Sequence, residues 1–134
     1  METQTKNKID KHFLIKQTKD FAHHCVKVCK ALPEDWLGRH VRSQLMRCAT
    51  SVAANYRAAC ISQTKPSFIS KLGIVVEEAD ETCYWIEFII EEQLLTERQC
   101  SEILQEAKEL TSIFAASQKT ARRNGKKSAI GNRQ

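Results

Sequence analysis

Glycine and proline are scarce in this 134-residue chain, with four Gly and two Pro, Pro33 and Pro66. Sheet proteins rich in tight turns use more of both, so the long breaker-free stretches point to an all-α fold. No apolar run approaches the roughly 20 residues that span a bilayer, and METQTKNKIDKHF lacks the apolar core of a signal peptide. No membrane partner is expected, and the cytoplasm is the expected compartment. In the absence of a secretory signal, the six cysteines should remain reduced and pack as small hydrophobes.

Recognisable catalytic patterns are missing as well. Di-iron bundles place Glu-x-x-His pairs on facing helices, but none of His12, His23, His24 and His40 follows a Glu at that spacing. Cys25 and Cys29 lie near His23, yet there is no C-x-x-C, and a structural zinc needs four converging ligands. No G-x-S-x-G, Walker loop or G-x-G-x-x-G occurs, and no Ser or Cys has a recognisable base partner. Neither an enzyme nor a metal or cofactor site is therefore expected.

At 42% hydrophobic and 28% charged, the chain fits a single globular domain. Its net charge of +5 hides a strong segregation. Residues 1–75 carry 13 Lys/Arg against 5 Asp/Glu, residues 76–118 carry 2 against 11, and residues 119–134 carry 6 against none. Such separation fits self-complementary assembly or a polyanionic partner.

Four helical periods can be read at 100° per residue. Leu14, Thr18, Phe21, Cys25, Val28, Cys29 and Leu32 share a face over about 14–32, opposite Lys16, Lys19, His23, Lys27 and Lys30. Pro33 ends that helix and Asp35 can cap the next, which spans about 36–62 with Val41, Leu45, Cys48, Val52, Tyr56 and Ala59 inward. A third runs over about 66–93 behind Pro66, with Leu72, Val75, Ala79, Cys83, Ile86 and Ile90 on its stripe. Thr96 and Gln99 form a capping box for the fourth, which buries Cys100, Ile103, Ala107, Leu110 and Phe114 and ends near 120.

The economical closure is an antiparallel up-down-up-down four-helix bundle. Its expected bounds are 13–120, between a flexible N-terminal arm (1–12) and a disordered basic tail (121–134).

Two anomalies bear on function. RCATSVAANYRAACIS, residues 47–62, is built from small residues around Asn55. That composition allows a neighbouring helix to approach closely, with Ser51 and Asn55 as structural polar groups and the Asn55 amide bonded to an adjacent helix to fix register. In the third helix, Ile74, Tyr84, Trp85, Phe88 and Ile89 gather opposite the core stripe, which predicts an oligomer interface. The second helix has no acid between Arg39 and Ser62. Its Arg39, Arg42, Arg47 and Arg57, together with Lys16 and Lys27 and the tail's Arg122, Arg123, Lys126 and Lys127, form the candidate nucleic-acid surface. A competing reading pairs the second-helix arginines with Glu77, Glu78 and Glu81 across subunits.

LPED…VRSQLMRCATSVAANYRAA, followed by KPSFISKLGIVVEEADETCYWIEFI, resembles the bacterial four-helix-bundle proteins encoded in intervening sequences of large-subunit ribosomal RNA genes. The resemblance spans residues 14–118 and is carried most specifically by Pro33, Arg47, Ser51, Asn55, Leu72, Ile74 and Glu81. The fold is shared with accessory proteins of diversity-generating retroelements, which implies a cyclic homo-oligomer, a pentamer, that binds nucleic acid and a reverse transcriptase. The chain departs from the family pattern at Tyr56–Ala59 and at Glu77-Glu78. The other class of function is a structural protein–protein interaction module without nucleic acid.

Overall fold

The computed structural model describes residues 9–132, with side chains to Gly125, and contains four helices and no strand among them. Helix α1 spans Lys11–Ala31, α2 Trp36–Cys60, α3 Lys65–Glu91 and α4 Glu97–Asn132. Each helix starts at a polar cap. Asp10 accepts from the Phe13 amide, Asp35 from Gly38 and Thr64 from Ser67. Thr96 and Gln99 cap α4 reciprocally, Gln99 N–H donating to Thr96 Oγ1 at 3.1 Å and Thr96 N–H to Gln99 Oε1 at 2.8 Å.

Consecutive helices pack side by side, and α1 closes on α4. Cross-helix pairs fix the directions. Residues 47 and 51 of α2 meet 81 and 78 of α3, and 83 and 87 of α3 meet 111 and 108 of α4, so both pairs are antiparallel. The core is one cluster from Leu14 to Phe114, with Phe21, Leu45, Leu72, Ile86 and Phe114 among its largest enclosed side chains. Cys25, Cys29, Cys48, Cys83 and Cys100 are buried in it as free thiols, and Cys60 lies at its margin. Burial raises the thiol of Cys29 to about 11 and lifts the other four buried thiols as well, so none is a ready thiolate nucleophile.

The buried stripe corrects one expectation. Ile89 is fully enclosed rather than part of an interface, and Ile90 is only partly buried. Burial in α3 steps through Leu72, Val75, Ala79, Thr82, Ile86 and Ile89 at alternating intervals of three and four. Such a repeat drifts about 20° per heptad from the ideal helical angle, which accumulates to roughly 80° along this 27-residue helix, most of the angle between adjacent residues.

The ends differ from expectation too. Lys11 and His12, placed in the arm, begin α1, while residues 1–8 lie outside the described residues. Helix α4 continues through 121–132, the segment assigned to the tail. A Cβ on Gly125 would stand 3.7 Å from Lys65 Cδ and 3.9 Å from Ile69 Cδ1, so α4 lies against the first turns of α3 there and then runs about 10 Å further to Asn132.

The α1–α2 corner depends on a missing side chain. A Cβ on Gly38 would sit 1.9 Å from the Pro33 carbonyl oxygen, inside any allowed contact. Gly38→Ala must displace backbone and is expected to cost about 1–3 kcal/mol, read by urea denaturation.

Candidate nucleic-acid interface

Arginine is a fixed cation with five donors in a rigid fork, so its availability to phosphate depends on what already occupies the fork. Arg42 is occupied. Its Nε donates to the Cys29 carbonyl at 3.1 Å, and its Nη2 donates to the Leu32 carbonyl at 3.2 Å and to Glu34 at 2.7 Å. The Cys29 carbonyl also accepts from the Leu32 amide at 3.2 Å, so at the Leu32 carbonyl and beside that backbone cap Arg42 completes the end of α1 from the next helix. Arg39 donates to the Glu34 carbonyl at 3.3 Å.

Arg47 bridges to α3. Its Nη1 donates to both Glu78 oxygens, at 3.2 and 3.3 Å, and its Nη2 to Glu81. The ladder continues in both directions along the α2–α3 seam. Ser51 donates to Glu78 at 3.0 Å, and the Asn55 amide donates to the Ser51 carbonyl and hydroxyl at 2.9 and 2.8 Å. Below Arg47, Trp85 donates its indole N–H to Glu81 at 3.3 Å and meets His40 edge to face with ring centres 5.7 Å apart.

Asn55 therefore bonds its own helix rather than a neighbouring one. Ser51 carries the link to α3. Two of the three acids expected to pair with arginine across subunits, Glu78 and Glu81, hold Arg47 within the chain, so Arg47 is removed from the free cationic surface. Trp85 and Phe88 are half-buried against the core, leaving Ile74 and Tyr84, 40% and 54% exposed, as the open apolar residues of the expected interface.

Lys16 pairs with Asp20 at 2.8 Å. Lys27 lines the α1–α4 seam beside Glu102, Glu106 and Glu109, where His24 Nδ1 lies 2.8 Å from Glu106. Arg57 stands on the rim of a groove between α1 and α2. Arg122 and Arg123 are exposed on α4; Lys126 and Lys127 lie further along the same helix, and their side chains are outside the described residues.

Antiparallel packing gathers another cationic set. The start of α1, the end of α2, the start of α3 and the extension of α4 share one end of the bundle, which carries Lys11, Lys65, Lys71, Lys119, Arg122 and Arg123. No acid occurs between Asp35 and Glu77 or after Glu109. The acids at this end are engaged, Asp10 as the α1 cap and Asp20 with Lys16. The opposite end holds Glu87, Glu91, Glu92, Glu97 and Glu102. Lys11, Lys65, Lys71 and Lys119 escaped sequence reading, although the alternation of helix ends in an up-down bundle would have brought them together.

Among the described residues, no three His, Cys, Asp or Glu side chains converge on a possible metal position, and no helix is long and apolar enough to cross a membrane.

The model of the 23S rRNA-intervening sequence protein family matches residues 11–116, and the chain belongs to that family. Among solved structures it is similar to a protein of unknown function from the S23 ribosomal protein family of Bacteroides thetaiotaomicron, with 30% identity and a TM-score of 0.73 over 78% of this chain and 97% of that one. No curated protein matches it.

Two variants separate structural from free arginines. Arg42→Ala takes the side-chain donor from the Leu32 carbonyl, leaves the Cys29 carbonyl with the Leu32 amide alone, and is expected to lose about 1–3 kcal/mol in chemical denaturation. Arg47 holds the Glu81 carboxyl below its ordinary value. The contribution of that pair is present above about pH 4.3, the ordinary glutamate value, and fades as pH falls through the lower folded value. The small stability advantage over Glu81→Gln should therefore shrink in acid titrations, and an advantage that grows below about pH 4 contradicts the pairing.

Proposed function

We propose that this member of the 23S rRNA-intervening sequence protein family is a non-enzymatic cytoplasmic accessory protein. It assembles as a cyclic homo-oligomer, a pentamer, and binds RNA or DNA through backbone phosphates, alone or together with a nucleoprotein partner such as a reverse transcriptase. The observation that carries the reading is the cationic end of the bundle, where Lys65, Lys71, Lys119, Arg122 and Arg123 face no uncommitted acid among the described residues. Lysines and arginines on helical surfaces bind phosphate by releasing condensed counterions, which gives affinity without base readout. A ring multiplies such contacts, because one strand can touch the same patch on several subunits.

Mixed RNA and DNA probes, single- and double-stranded, test the reading in a salt series. Lys119→Glu/Arg122→Glu/Arg123→Glu is expected to weaken binding at least tenfold and to flatten the salt slope, by about 0.7–0.9 for each phosphate that the variant no longer neutralises. Arg42→Ala and Arg47→Ala should retain the wild-type slope. Equal losses in both sets would show that the α2 arginines contact phosphate too and overturn their separation from the free cations, and no binding by the wild-type chain at low salt would remove nucleic acid from the reading.

A further inference from the structure

Between α1 and α2 lies a groove of about 620 Å³ that no part of the described chain fills. Its floor is apolar, from Ile15, Ala22 and Val26 on α1 to Ala53 and Ala54 on α2, and its rim carries the cations Lys19 and Arg57 with His23 beside them. From Ile15 to Val26 it runs about 16 Å along the helix.

Helix α3, on the other flank of α2, carries a second stripe at alternating intervals of three and four. It comprises Ile74, Glu77, Glu81, Tyr84 and Phe88. Ile74 and Tyr84 project into solvent, and Tyr84 is stiffened by ring contacts with Trp85 at 5.1 Å and Phe88 at 6.2 Å. Glu77 is exposed and forms no ion pair within the described chain. From Ile74 to Phe88 the stripe runs about 21 Å.

We propose that the α3 stripe of one copy seats in the α1–α2 groove of a second copy. Large apolar side chains meet an apolar floor in which Ala22, Ala53 and Ala54 lie between Ile15 and Val26. Uncommitted carboxylate at Glu77 meets a rim of Lys19, His23 and Arg57, and the two surfaces have similar length. This charge complementarity selects a second copy over other occupants, since the groove rejects a cationic partner and the stripe an anionic one. The contact is heterologous, because different patches of the same chain meet, and such contacts close into rings when the rotation between subunits permits. The inference rests on the homo-oligomeric part of the proposed function and supplies its geometry; it is independent of nucleic-acid binding.

Light scattering on purified chains tests it. Ala54→Glu places a carboxylate on the groove floor, and Ile74→Lys/Tyr84→Lys places cations on the stripe. All three positions are exposed, so circular dichroism and melting should match the wild type; Ala54→Trp, which fills the groove without charge, is a second blocking variant. Each blocked chain alone is expected to run as a 15.3 kDa monomer. A groove-blocked chain mixed with a stripe-blocked chain retains one working contact, so the mixture should give a dimer of twice that mass and nothing larger. Wild-type chain that remains monomeric at high concentration overturns the oligomeric reading itself. Wild-type assembly with blocked variants of unchanged mass, or variants that fail to pair on mixing, overturns this placement of the contact alone.

Discussion

In α3, burial steps from Leu72 through Val75, Ala79, Thr82 and Ile86 to Ile89, and the same alternation of three and four residues runs through Leu14, Thr18, Phe21, Cys25 and Val28 in α1 and through Cys100, Ile103, Ala107, Leu110 and Phe114 in α4. An apolar seam repeating every 3.5 residues keeps one face of each helix toward its neighbours over the whole length of the bundle. The outward residues are consequently fixed too. They include the Ile74–Tyr84 stripe, the cations of the α4 extension and the rim of the α1–α2 groove.

Helix α2 breaks the alternation once, and the break accounts for its small middle. Its buried positions run Leu45, Cys48, Val52, Tyr56 and Ala59, with two successive intervals of four. A strict repeat would bury residue 55. The longer interval turns Tyr56 inward against Phe114, ring centres 4.9 Å apart, and leaves Asn55 on the seam margin, where Ser51 satisfies its amide. Ser51 then reaches Glu78, and Glu78 helps to hold Arg47. The small side chains of this stretch thus serve a polar ladder on the α3 side and an open alanine floor on the α1 side.

The periodicity of the apolar residues made the four helices, their order and most of the core legible, and Asp35, Thr96 and Gln99 marked two helix starts because their caps are local in sequence. What escaped was non-local or cumulative. Ile89 was misplaced because an angular error of a few degrees per residue accumulates along a 27-residue helix. Arg42 looked like a surface cation, since nothing local shows that a helix ending at Ala31 would present its carbonyls to it. The fourth helix is expected to end near 120, yet it runs on past Gly125, which lies beside Lys65 and Ile69, a contact visible only once α3 and α4 are paired.

The division of cations into committed and free groups is the centre of the functional reading, and amine footprinting tests it directly. Lysine acetylation is mapped by mass spectrometry with and without a generic single-stranded RNA at low salt. Protection is expected at Lys65, Lys71 and Lys119, with Lys27 and Lys108, placed among acids, unchanged. Protection confined to Lys27 and Lys30, with Lys65, Lys71 and Lys119 still fully reactive, would contradict that division and move the interface to the other end of the bundle.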